Sequence, residues 1–214
     1  MPCCSEDTCS SGAAANGRFR TVLWIALAIN AGMFLVEIVA GLAAGSAALQ
    51  ADALDFFADA ANYAISLSVL GLGLRWRAGA ALVKGGSMGI FGLWVIGNLT
   101  WHALHGTVPS WGTMGVVGVA ALVANAACLV LLYAFRDGDA NMRSVWICSR
   151  NDVLANLAVL AAAFGVFGTG TGWPDIIVAA VMAVLALQGA ATVVRQATAE
   201  LRASTTLRAV PILR

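Results

Sequence analysis

The chain has 214 residues, 60% of them hydrophobic and 11% charged, with a formal net charge of +1. That composition leaves too little polar surface to hydrate a soluble domain, and the near-zero charge excludes the basic footprint that nucleic acid demands. The expected solvent is the lipid bilayer.

Six apolar stretches, near 22–44, 47–73, 83–105, 112–135, 143–168 and 174–195, are long enough to cross about 30 Å of hydrocarbon at about 1.5 Å per residue. The expected fold is therefore all-α, a bundle of six transmembrane helices over 21–196, between a Cys-rich segment (1–20) and a short basic tail (197–214). Connections 41–46, 105–110 and 168–174 carry no Lys or Arg, whereas Arg18, Arg20, Arg75, Arg77, Lys84, Arg136, Arg143, Arg195 and Arg202 mark the opposite side. The positive-inside rule then puts both termini in the cytoplasm, as an even number of spans requires.

The amino-terminal segment holds Cys3, Cys4 and Cys9 beside Glu6 and Asp7. A reducing cytoplasm keeps these as thiols, candidates for accessory capture of a soft metal. Span one follows two arginines as a secretory signal does. It runs past 20 residues and contains Glu37, so it is read as a retained helix. Asn30 and Glu37 are its polar groups, and Glu37 is a candidate for a proton path or for anchoring span one to a site.

Span two carries Asp52, Asp55 and Asp59 within two helical turns, followed by Asn62. Each ionised aspartate near a helix centre costs roughly 2.5–3.5 kcal/mol on insertion scales, so three together need compensation. Asp55 and Asp59, four apart, project from nearly the same face about 6 Å apart in rise, and one cation can bridge them. Asp52 on the neighbouring turn is a candidate outer carboxylate, proton carrier or partner of a helix-end donor. Asn62 continues the stripe and can hydrogen-bond to it.

Span three has small residues at Gly85, Ser87, Gly89 and Gly92, and span four has Gly115 and Gly118. Close packing within the chain is preferred over a dimer face. His102 and His105 end span three between Trp101 and Trp111, as belt residues or an accessory metal-capture pair. Cys128 in span four reads as a small buried hydrophobe, near Asn125.

Span five repeats the four-residue spacing with Cys148 and Asp152, and Asn156 follows one turn on. If spans two and five face each other, Asp55, Asp59, Cys148 and Asp152 make a four-ligand cage suited to a tetrahedral divalent ion, with zinc at about 2.0–2.2 Å from oxygen and about 2.3 Å from sulfur. An ion pair of Asp152 with Arg150 is the alternative. Asp175, after Pro174 at the start of span six, suits a helix first turn, where capping is preferred over a place in the proton path. A short tail is expected after span six, without a cytoplasmic domain.

The pattern Gly41-x3-Gly45-Ser46-x2-Leu49-x2-Asp52-Ala53-x-Asp55-x3-Asp59 resembles the second-helix signature of the cation diffusion facilitator family of divalent-metal/proton antiporters. The stretch from Asn141 through Cys148-x3-Asp152 resembles its fifth-helix signature, with Cys148 where the family usually has His, and Trp173-Pro174-Asp175 resembles the start of its sixth helix. The resemblance implies that Asp55, Asp59 and Asp152 bind the transported ion, and the cysteine opens the usual zinc preference to question. It also implies a C-terminal metal-binding domain for which this sequence has no room, so that a homodimer would rest on the membrane helices and the Cys-rich amino terminus would take over sensing. The expected function is efflux of Zn²⁺, or of Cd²⁺, Co²⁺, Ni²⁺ or Fe²⁺, across a bacterial inner membrane in exchange for protons. Lipid is a partner, and there is no enzymatic step and no organic cofactor. A metal sensor or buffer that does not transport is the first alternative. The second is a membrane thiol oxidoreductase, disfavoured because no close cysteine pair stands at an oxidising surface.

Overall fold

The computed structural model describes the backbone of residues 6–68, 74–135 and 140–209 and, within these, the side chains of 17–65, 67–68, 78–135, 149–199 and 201–202. Its elements are six helices: α1 (Glu6–Ala44), α2 (Ala47–Ser68), α3 (Leu74–His105), α4 (Trp111–Tyr133), α5 (Ala140–Thr169) and α6 (Trp173–Ala209). The described residues contain no strand. α1, α3 and α6 run well beyond the apolar stretches. The helix of span three begins nine residues before the hydrophobic run, and α6 continues through most of the basic tail.

The three connections without Lys or Arg are tight and end on glycine. Gly45 has φ +65°, a left-handed conformation that a Cβ disfavours. Its N–H donates to Leu42 O at 3.3 Å and that of Ser46 to Gly41 O at 2.9 Å, the paired bonds of a Schellman cap that turns the chain directly from α1 into α2. Gly106 and Gly170 end α3 and α5 in the same conformation. Ser110, ahead of α4, donates its N–H to Ala44 O at 3.0 Å and so ties the α3–α4 connection to the end of α1.

The surface is apolar and the interior carries the polar groups. Leu35, Val39, Ile90, Val116, Val130 and Phe164 face outward, while Asn30, Glu37, Asp52, Asn125, Asp152 and Asn156 are buried. This inversion is what lipid as solvent selects. Stretches in five helices, Gly17–Ala44, Ala78–His105, Trp111–Tyr133, Ser149–Thr169 and Trp173–Ala199, are long and apolar enough to cross a bilayer. α2 is not among them, because its aspartates lower its hydropathy. Its 22 residues still reach about 33 Å.

α2 has no need of lipid because protein surrounds it. It packs on α1, α3, α5 and α6, while α3 pairs most extensively with α6 and α4 with α5. Toward the glycine-capped side it is sealed by two apolar clusters. Ala47, Ala48 and Ala51 pack with Val95, Ala179 and Ala183 on α3 and α6, and Leu49 packs with Met114, Val159 and Val166 on α4 and α5. At its other end Tyr63 and Leu67 join Phe19, Leu23, Cys128 and Leu132. Cys128 is thus a buried core residue, as expected.

Candidate metal centre

Between the two ends of α2, a cavity of ≈ 390 Å³ opens among α2, α3, α5 and α6. Asp55, Asp59 and Asn62 line it from one side and Asp152 from the facing helix, with Met88 and Met182 among its apolar walls. The four-residue spacing places both α2 carboxyls on the cavity face, and the packing of α2 on α5 brings Asp152 close to each of them. Three carboxyls expected from the sequence to share a site therefore share one cavity. Among the described residues no three His, Cys, Asp or Glu side chains are arranged to hold a metal ion. Cys148 lies on α5 one turn before Asp152, but its side chain, like that of Cys9 and the whole of Cys3 and Cys4, is outside the described residues.

Several neighbours position these carboxyls. The Tyr63 hydroxyl donates to Asp59 Oδ2 at 3.4 Å and lies 3.1 Å from Ser149 Oγ on α5, which bridges the two helices that carry the cavity's carboxyls. Asn156 Nδ2 donates to Asp152 O at 2.9 Å, bracing the turn below that aspartate. Lys84, only 8% exposed, reaches into the same cavity from α3. It donates to Asn62 Oδ1 and its charge acts on Asp59. So Asn62 stands beside the carboxyl stripe, and its oxygen accepts from Lys84. Reading the sequence missed Tyr63, Ser149 and the inward position of Lys84. The signal for Lys84 is that it already lies inside the apolar stretch of span three, after Ala80, Ala81, Leu82 and Val83.

Glu37 and Asp52 form a second acidic pair, outside the cavity. Both are fully buried, and the two carboxyls face one another across α1 and α2, each the other's polar neighbour. Asn30 lies two turns earlier on α1, where its Nδ2 donates to Ala26 O at 2.9 Å and to Cys128 Sγ at 3.5 Å.

Asp175 is used differently from the expected capping of its own helix. It does sit in the first turn of α6, but its oxygens accept Ser46 Oγ at 2.6 Å and the N–H groups of Ala47 at 2.8 Å and Ala48 at 3.1 Å, at the start of α2. Ser46 Oγ in turn accepts the Leu49 N–H at 3.1 Å. The three leading amides of α2 are thus all satisfied, and two positive helix ends converge on one carboxylate. His102 and His105 have separate hydrogen-bond partners. His102 Nδ1 bonds Thr107 Oγ1, whereas His105 stacks on Trp101 with centroids 3.7 Å apart and its Nδ1 bonds Trp101 O at 2.9 Å.

Residues 23–202 match the family model described as the cation efflux transmembrane domain. A curated zinc transporter, ZitB, from Yersinia pestis is 26% identical across 84% of this chain and 62% of its own length. A cadmium, cobalt and zinc/H(+)-K(+) antiporter from Bacillus subtilis is 22% identical across 80% of this chain and 60% of its own. The chain thus spans about three-fifths of the length of the curated relatives it matches.

Proposed function

The chain belongs to the cation efflux family, and from that premise we propose that it exports a divalent transition-metal cation from the cytoplasm across a bacterial inner membrane, in exchange for protons and without an enzymatic step. The observation that carries this reading is the meeting of Asp55, Asp59 and Asp152 in one cavity inside a membrane bundle. Carboxylates are unfavourable in such a place unless they hold something positive. Cys148, one turn before Asp152, completes the ligand set as a thiolate. Hard oxygens with one soft sulfur suit Zn²⁺ first and accept Cd²⁺, Co²⁺, Ni²⁺ or Fe²⁺. The names of the relatives, a zinc transporter and an antiporter of cadmium, cobalt and zinc, agree with that range.

Asn62, Lys84 and Asn151 line the cavity toward the Lys- and Arg-bearing side of the bundle, and the clusters around Leu49 and Ala51 close its far side. With both termini in the cytoplasm this is an inward-open arrangement, ready to receive cargo. Carboxylates and thiolate must be deprotonated to ligate, so protons arriving from outside compete with the metal, which is the thermodynamic basis of exchange. Glu37 on α1 and Asp52 on α2 face one another beside the ligands and supply a proton path to them. Asn156 braces Asp152, and Asp175 holds α2. Cys3, Cys4 and Cys9, and on the far side His102 and His105, serve as accessory capture groups. Two copies pair through their membrane helices.

The test is proton-driven uptake of Zn²⁺ into inverted vesicles or proteoliposomes containing the full chain. Asp152→Ala abolishes uptake if the site is right, and undiminished uptake would refute it. Retained binding without translocation by the unmodified protein would turn the reading toward a sensor. Cys148→His, with transport intact, shifts preference among Zn²⁺, Cd²⁺ and Co²⁺ if the sulfur ligates.

A further inference from the structure

Lys84 stands out among the buried charges because nothing in metal ligation calls for it. An ordinary lysine at the membrane rim runs its aliphatic stem along the protein and leaves its ammonium in water. Lys84 does the opposite. It is 8% exposed, its amine donates to Asn62 Oδ1, and it lines the cavity with Asp55, Asp59 and Asp152. α3 begins at Leu74, so Lys84 lies nearly three turns into the helix.

The charged side chains lining the cavity, among the described residues, are three carboxylates and this one ammonium. We propose that Lys84 is a tethered cation built into the metal site, which offsets one of its anionic ligands and weakens the site enough for the ion to leave. In the empty carrier the ammonium keeps Asn62 and the Asp59 side of the cavity in place. When metal arrives, the same charge repels it, holding affinity below what three carboxylates would otherwise reach. A carrier that binds its cargo too tightly releases it slowly, so this residue exchanges affinity for turnover. The inference rests on the metal site proposed above.

The measurement is equilibrium binding of Zn²⁺ alone to the purified full chain in detergent, paired with uptake rates in proteoliposomes, for Lys84→Gln, Lys84→Met and Lys84→Arg. A unit charge several ångströms from the ion, at the effective dielectric of a partly hydrated site, changes cation affinity by roughly tenfold or more. Lys84→Gln and Lys84→Met are expected to bind about tenfold tighter and to transport more slowly at saturating metal, with Lys84→Arg close to the unmodified protein. A purely structural role for the lysine cannot produce tighter binding. Equal or weaker binding in both neutral variants overturns the proposal, as does Lys84→Arg tightening with them. Asp59→Asn serves as the control. If it abolishes binding while the Lys84 variants bind as the parent does, the metal site stands and the role of Lys84 falls. If Asp59→Asn binds normally, the site assignment itself has failed.

Discussion

Asp175→Ala is expected to loosen the molecule more than any other single change at the glycine-capped side. The carboxylate is buried and accepts three hydrogen bonds from the start of α2, one of them from Ser46 Oγ. Its removal leaves the amides of Ala47 and Ala48 buried without acceptors, at about 1–2 kcal/mol each, and takes a negative charge from two helix N-termini, at about 0.5 kcal/mol each. The total is about 4 kcal/mol, and Asp175→Asn, which keeps one acceptor oxygen, costs about half. For a chain of this length that predicts a fall in melting midpoint of roughly 8–16 °C for alanine, followed by circular dichroism of the purified chain in detergent. Ser46→Ala removes both its cap on the Leu49 N–H, worth about 1 kcal/mol, and its bond to Asp175, whereas on top of Asp175→Ala only the cap is left to lose. A melting point for Asp175→Ala within 2 °C of the parent would refute the account, and so would full additivity with Ser46→Ala.

Two further outcomes follow from the site. Tyr63→Phe removes the hydroxyl shared by Asp59 and Ser149. It lowers stability by about 1 kcal/mol, and Ser149→Ala in the same background adds little, as a double-mutant cycle of melting curves will record. Bound Zn²⁺ stabilises the folded protein by about 2.7 kcal/mol at a hundredfold excess over its dissociation constant. Because ligation requires deprotonated carboxyls, this metal-induced rise in melting temperature is largest at high pH and disappears as pH falls. A shift independent of pH would remove the basis for proton exchange.

Much of this architecture could be read from the residues in order. The apolar runs and the connections free of Lys and Arg foreshadowed the helices and the side on which the chain turns tightly, because lipid imposes length and charge rules on single segments. The pairing of Asp55 with Asp59 was legible for the same reason, since helical spacing is local. What escaped was relational. Asp175 meets the start of α2 across 128 residues, and Tyr63 meets Ser149 across 86, so both depend on how helices rotate against one another. Lys84 was placed at the rim because the hydrophobic run begins beside it, whereas the helix begins at Leu74.

The protein jacket around α2 also bears on how the chain is put together. Three ionised aspartates at roughly 2.5–3.5 kcal/mol each make α2 a poor passenger among lipid tails on its own. The Gly45 turn joins it to apolar α1 in a helical hairpin, so the two enter the bilayer as a pair. The partners that cover its remaining faces, α3, α5 and α6, are made later. During synthesis the cavity around Asp55 and Asp59 therefore stays open until α6 arrives with Asp175 and closes the bundle over it, so that the sixth helix completes the second.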